Sequence, residues 1–329
     1  MLQIVMLIHL IIGEIYAQSV LYTSLPWTHD FSVMCFGLTI LTLGISAGWY
    51  RKIYQGVLEF QAINQAITFW LISGLLIIVS IKTNHDVLYM VSSLIKGYAI
   101  GVLYALTISA IAEKYSKAMY SGAIVMSFGL GSLLASQLYS HIGYNVTTFI
   151  YSSILVWLIL RDNDLFLNRI TYTKGEFPKL LGVIFFLNIS IGITLLSNLV
   201  ELTKEYGVID GVILVGLSGI ANGLGRIIYP ILADKIGKIN CLIHILLLQS
   251  LALAPIVPWE AKVLIIISVY GGVFALMPSI CKEYYSLDAY CSLLPLWGVA
   301  GLISPNILTI EMLPIVAFII FVISLKVRK

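Results

Sequence analysis

Apolar residues fill this chain in blocks of about twenty, separated by short clusters of charged and turn-forming residues. A helix needs about 20 residues to cross some 30 Å of hydrocarbon. Breaking the chain at its charges and turns gives twelve such runs: 2–22, 31–50, 57–80, 87–111, 119–141, 145–160, 180–201, 211–233, 239–257, 261–281, 289–308 and 312–326. Connections of a few residues leave no room for a soluble domain. The longest, 161–179, divides the runs into two groups of six. The pattern therefore predicts an all-α polytopic membrane protein, with a first bundle over 1–160, a cytoplasmic linker over 161–179 and a second bundle over 180–329.

The two groups repeat each other. Shifting the chain by 170 residues superposes Gly101 on Gly271, Ala105 and Leu106 on Ala275 and Leu276, Ser109 on Ser279, and Glu113 on Glu283. The same shift lays Tyr115 and Ser116 on Tyr285 and Ser286, Tyr120 on Tyr290, and Gly131 on Gly301. Two similar halves related by an axis along the membrane normal are a transporter architecture, with the substrate site near mid-membrane between them. With a cytoplasmic N-terminus, the inner ends hold Arg51, Lys52, Lys114, Lys117, Arg161, Arg169, Lys174, Lys179, Lys235, Lys238, Lys282, Lys326, Arg328 and Lys329. Only Lys82, Lys204 and Lys262 fall outside, so both termini are expected in the cytoplasm of a plasma-membrane protein.

Composition agrees with the pattern. Hydrophobic residues make up 60% of the chain, charged residues 11%, and the mean hydropathy is +0.99, all far from a soluble domain. The net charge of +3 comes from scattered basic pairs, so no nucleic-acid partner is expected. The first apolar run lacks a basic start and exceeds a signal h-region, which makes it a first span instead of a cleaved leader. Cys35, Cys241, Cys281 and Cys291 show no metal-ligand spacing and read as small apolar residues of the interior. No Gly-x-x-x-x-Gly-Lys-Ser/Thr loop occurs, against an ATP-driven pump. No catalytic constellation converges on one depth, so an enzyme is disfavoured, and neither a cofactor nor a metal is expected.

Charges inside the runs carry the candidate chemistry. An ionisable residue at the centre of a span costs roughly 2.5 to 3.5 kcal/mol and usually faces an interior cavity. Glu14, Lys96 and Arg226 qualify. Arg226 lies eight residues before Asp234, about 12 Å up a helix, and its guanidinium offers two parallel hydrogen bonds to a carboxylate at any relevant pH. A structural ion pair or snorkelling is the alternative. Asn222 falls one turn earlier on the same face.

Several motifs resemble the major facilitator superfamily. Asp234-Lys235-Ile236-Gly237-Lys238 is similar to the end of its loop signature, G-x-x-x-D-[RK]-x-G-[RK]. Asn222-Gly223-Leu224-Gly225-Arg226, Gly13-Glu14-Ile15-Tyr16-Ala17-Gln18-Ser19, Gly97–Tyr104 and Tyr270-Gly271-Gly272-Val273-Phe274-Ala275 resemble its oxalate/formate antiporter and monocarboxylate transporter branch. The resemblance implies two six-helix bundles working by alternating access on a small organic anion, a monocarboxylate above all. It makes Arg226, with Tyr16, Tyr270, Asn222, Gln18, Tyr104 and Trp297, the substrate-binding set, and Asp234, Lys235, Gly237 and Lys238 a cytoplasmic latch between the second and fifth spans of the second half. Departures shape the reading. The first-half loop around Gly48-Trp49-Tyr50-Arg51-Lys52 has no aspartate, Trp297 stands where oxalate carriers are expected to have lysine, and Asn222 stands where monocarboxylate carriers often have aspartate.

A proton site must then lie elsewhere. Glu14 and Lys96 fall at similar depth on spans that line the cavity of this fold, so a proton-coupling pair is geometrically plausible, with a static pair fixing helix register as the alternative. His9 is a weaker choice. Anion exchange without protons and a transport-inactive membrane sensor or assembly subunit are the other functional readings. The expected partners are a small organic anion, protons and the lipid bilayer around a monomer.

Overall fold

The computed structural model describes residues 2–22, 25–114, 118–161, 166–172 and 176–328. Lys117, Lys174 and Lys329 of the basic set, and Tyr115 and Ser116 of the repeat, lie outside the described residues, as do the side chains of Glu113, Lys114, Tyr120 and Arg328. Helices are α1 (Leu2–Ile12), continued by a 3-10 segment (Gly13–Val20), α2 (His29–Ile53), α3 (Glu59–Thr83), α4 (Asp86–Lys114), α5 (Ala118–Arg161), α6 (Lys179–Tyr206), α7 (Gly211–Ile236), α8 (Lys238–Ala252), α9 (Trp259–Tyr284), α10 (Leu287–Ile307) and α11 (Leu313–Ser324). Nine of the helical runs among the described residues are long and apolar enough to cross a membrane. The chain is an all-α polytopic membrane protein.

Local chemistry explains where the helices start and stop. Thr28, Asp210 and Ser286 cap α2, α7 and α10 by accepting backbone N–H groups of the first turn. Gly143, at φ 80° and ψ 165°, breaks α5 into 118–142 and 144–161, so that α5 supplies two of twelve helical segments. Gly237, at φ 88°, reverses the chain between α7 and α8 in a single residue.

Three features differ from the sequence expectation. The first run is not one helix, because the chain tightens to a 3-10 helix at Gly13. There the α1 and α5 backbones nearly touch: a Cβ on Gly131 would stand 2.6 Å from Gly13. The run over 239–257 stops as α8 at Ala252; Pro255 has no N–H for the Leu251 carbonyl, which Ala254 N fills in a turn instead. The segment 161–179 is partly docked. Its residues 166–170 run beside the α2–α3 connection through an antiparallel bridge, Leu58 with Arg169, and hydrogen bonds such as Glu59 N to Asn168 O at 3.0 Å and Arg169 Nη1 to Gly56 O at 2.8 Å.

Before residue 161, α2 packs on α4, α3 on α4 and α1 on α5; after 179, α7 packs on α9, α8 on α9 and α6 on α10. The repeat pair Gly101 and Gly271 plays one part twice. A Cβ on Gly101 in α4 would meet the Leu43 carbonyl of α2 at 2.2 Å, and one on Gly271 in α9 would meet the Asn222 carbonyl of α7 at 2.3 Å. Two seams join the groups, α2 with α10 and α5 with α7. Both rely on small residues, as helix contacts in lipid do: Gly44 lies against Gly298, and Gly129 against Gly223. The candidate site lies between these seams.

Candidate functional site

Helix α7 delivers Asn222 and Arg226 on one face, a turn apart. Arg226 is 0% exposed. Its Nε donates to Asn222 Oδ1 at 3.0 Å and its Nη1 to the Val125 carbonyl of α5 at 2.8 Å, while Nη2 has no partner among the described residues. The rings of Phe128 and Phe274 flank the guanidinium, with centroids 5.5 and 5.6 Å from its central carbon. No carboxylate among the described residues forms an ion pair with it. A buried cation without an anion is strongly disfavoured. This one is held by two neutral acceptors and two ring faces, with one edge of the fork left free. Pro230 lacks the N–H that would bond the Arg226 carbonyl, and Pro278 does the same to Phe274, so both helices are loosened at this level.

Aromatic rings complete a chamber. The Tyr16 and Tyr270 hydroxyls hydrogen-bond at 2.7 Å, linking the 3-10 segment to α9. Both the Tyr16 and Tyr104 hydroxyls approach the Arg226 guanidinium. Phe128 packs edge-on to Tyr16, Tyr104 and Trp297, and Phe274 to Tyr270 and Trp297. Trp297 Nε1 is buried without a hydrogen-bond partner among the described residues. The structure thus brings together Arg226, Asn222, Tyr16, Tyr270, Tyr104 and Trp297. It does not bring Gln18, whose side chain approaches the Tyr89 hydroxyl of α4 instead. Phe128 and Phe274 escaped the sequence reading because a phenylalanine in an apolar run carries no mark. His9 joins the wall 5.2 Å from the Tyr104 ring, with Nε2 at 2.8 Å from Thr107 Oγ1 and Nδ1 unpartnered. Thr107 already donates to the Leu103 carbonyl, so His9 Nε2 is the donor of that pair.

Glu14 and Lys96 form a buried ion pair. Tyr139 donates to the second carboxylate oxygen, Glu14 Oε2, at 2.7 Å. The Lys96 ammonium stands 5.2 and 5.5 Å from the Trp70 and Tyr144 rings. Three residues per turn in a 3-10 helix place Glu14 and Tyr16 on different edges. Tyr16 faces α9, and Glu14 faces α4 and α5.

At the face that holds the N-terminus, the latch geometry departs from expectation. Lys238 bonds Glu283 Oε2 at 2.5 Å and lies 3.4 Å from the Ser279 carbonyl, so it ties α8 to the end of α9, the fourth span of the second half and not the fifth. The turn at Gly237 redirects the chain, and Lys238 at its far side reaches α9. Asp234 and Lys235 are exposed and form no ion pair among the described residues. The contact to α10 comes from the first half instead: Arg51 Nη1 lies 3.7 Å from Asp288 Oδ1.

No family model matches the chain. It is similar to the uncharacterized MFS-type transporter YhjX of Escherichia coli (strain K12), at 23% identity over 316 residues that cover 84% of this chain and 78% of that protein. The all-helical architecture and its two cross-half seams agree with that likeness to a major facilitator protein.

Proposed function

We propose that the protein is a secondary transporter that carries a small organic anion, a monocarboxylate, across the membrane together with a proton by alternating access. The observation that carries this reading is the Nη2 edge of Arg226, a buried cation with no hydrogen-bond partner at that edge and no carboxylate partner among the described residues, in an aromatic chamber between the two groups of helices. A carboxylate there gains charge-assisted hydrogen bonds and cancels an isolated charge. The rings around it match a small apolar tail. The printed name of the similar bacterial protein, a transporter, supports the general role.

Charge balance supports the proton. Glu14, Lys96 and Arg226 together carry one net positive charge when all are ionised. Protonating Glu14 and binding a monoanion at Arg226 restores that value, so a carboxylate and a proton cross with the buried charge unchanged. Tyr139 would hold the carboxyl in place through both states. The closure of the Glu14–Lys96 pair within the first group of helices favours a second reading, anion exchange, in which the pair only fixes the packing of α1 on α4.

Uptake of a panel of labelled mono- and dicarboxylates into proteoliposomes, with and without an inward proton gradient, tests both. Symport predicts gradient-stimulated uptake of a monocarboxylate that Glu14→Gln abolishes while sparing anion-for-anion exchange. Uptake by Glu14→Gln that still responds to the gradient overturns the proton role. No carboxylate uptake in any condition overturns carboxylate transport and favours a sensor or assembly subunit, or a carrier of a neutral or cationic substrate.

A further inference from the structure

A cleft of about 90 Å³ lies toward the face opposite the N-terminus, between the 3-10 segment, the start of α2 and α6. Ser19, Tyr22, His29, Asn198, Val200 and Glu201 line it. Three residues per turn eclipse positions i and i+3 at about 6 Å of rise. The bond from Leu21 N to Gln18 O carries the 3-10 pattern past Val20. Tyr16, Ser19 and Tyr22 therefore share one edge, with Tyr16 in the Arg226 chamber and the other two in the cleft.

The polar groups of the cleft are unevenly satisfied. Asn198 Nδ2 donates to the Thr194 carbonyl and to Ser197 Oγ, each at 3.0 Å, so its Oδ1 is the acceptor that His29 Nε2 fills at 2.9 Å. Ser19 Oγ and Tyr22 Oη are buried and have no partner among the described residues, with Ser19 3% and Tyr22 7% exposed. A buried hydroxyl without a hydrogen bond is costly, which asks for an explanation by a ligand or water. The Glu201 carboxylate at the rim is occupied by Lys204 at 2.9 Å. The cleft thus offers two O–H donors without a partner among the described residues beside an imidazole, with its one carboxylate paired to Lys204 at the rim.

We propose that this cleft is an outer receiving subsite for a small carboxylate, joined to the Arg226 chamber by the hydroxyl edge Tyr16–Ser19–Tyr22. The two donors match the two oxygens of a carboxylate, and the His29–Asn198 bond closes the cleft between α2 and α6. This subsite rests on the reading of the protein as an anion carrier, and its test does not need transport.

The full-length protein carrying Ser19→Cys is reconstituted and treated from the outer face with two membrane-impermeant thiosulfonates, one with a sulfonatoethyl and one with a trimethylammonioethyl group. Rates are normalised to a free thiol in solution. Cys35, Cys241 and Cys281 are buried, and the parent protein sets the background. The anionic reagent is expected to label the introduced thiol faster by at least about threefold, as focusing of an anion into the cleft requires, and adding Tyr22→Phe should lower that ratio. Val200→Cys, on the opposite wall, should show the same preference. A thiol inert to both reagents at both positions, or a ratio of one or below, overturns the subsite. Anion-preferring labelling in a protein that moves no carboxylate would overturn the transport reading alone.

Discussion

At the scale of residues, the decisive contrast is between two buried cations. Lys96 has its carboxylate beside it, and Glu14 in turn has Lys96 and Tyr139; Arg226 has amide and carbonyl oxygens, ring faces and nearby tyrosine hydroxyls, and no carboxylate among the described residues. Breaking a buried pair leaves an uncompensated charge at a cost of about 3 to 5 kcal/mol, whereas removing both partners is far less harmful. Lys96→Met should therefore lower the thermal midpoint strongly in detergent, and Glu14→Gln combined with Lys96→Met should recover most of the loss. Equal loss in the single and double variants would mean that the pair contributes little to packing. The Tyr16–Tyr270 bond is neutral and links the two groups of helices, so Tyr270→Phe should cost only about 1 kcal/mol of stability yet weaken carboxylate binding by a few-fold in an uptake assay. The positions of Arg226, Glu14 and Lys96 were legible in the sequence because a charge in an apolar run stands out against a strong background. Phe128, Phe274 and Tyr139 were not, since their types are at home in any span and only the fold shows what they touch.

Among elements, the helices themselves were read largely from length and charge breaks, and the misreadings have physical causes. All eight residues of the 3-10 segment are buried, so no polar face marks its period. The sequence reading placed Gln18 with Tyr16 as site residues, whereas the tighter helix puts Ser19 on the Tyr16 edge. The docking of 166–170 against the α2–α3 connection depends on backbone hydrogen bonds, which leave no trace in residue type. Where helices must slide, the seams make a sharp prediction. A Cβ on Gly44 would stand 2.3 Å from the Gly298 backbone nitrogen, while one on Gly122 would meet only the Arg226 carbonyl at 4.0 Å. Gly44→Ala should force α2 from α10 and lose uptake or folding, and Gly122→Ala should be tolerated, as expression and uptake of the two proteins would show. Pro230→Ala restores a helical N–H beneath Arg226. It should raise the thermal midpoint and slow turnover; faster uptake would remove the case for a softened α7.

On the scale of the whole molecule, side-chain contacts tie the helices together near both ends. The His29–Asn198 bond ties α2 to α6 on one side, and the Arg51–Asp288 contact ties α2 to α10 on the other, with Arg226 sealed between. The alternating access proposed above would require these ties to break in turn. The first-half loop lacks the acidic residue of the major facilitator signature it resembles, and in the proposed carrier a cation from that loop reaching an acid on α10 would serve the same mechanical end with the charges exchanged. Asp288→Asn should loosen the N-terminal face and raise thiol labelling there, and the swap Arg51→Asp with Asp288→Arg should restore the parent level; a swap that labels like the single variant would show that the contact is incidental. The repeat seen in the sequence fits this picture, since Gly101 and Gly271 hold equivalent helix pairs in the two groups. The central claim is that Arg226 binds the transported anion, and counterflow of a labelled monocarboxylate in proteoliposomes loaded with the unlabelled compound tests it most directly, because exchange needs the anion site and no proton gradient. The account predicts rapid counterflow in the parent protein and a loss of at least about a hundredfold in folded Arg226→Gln, in keeping with removal of a charge-assisted contact. Counterflow in Arg226→Gln at the parent rate would contradict it.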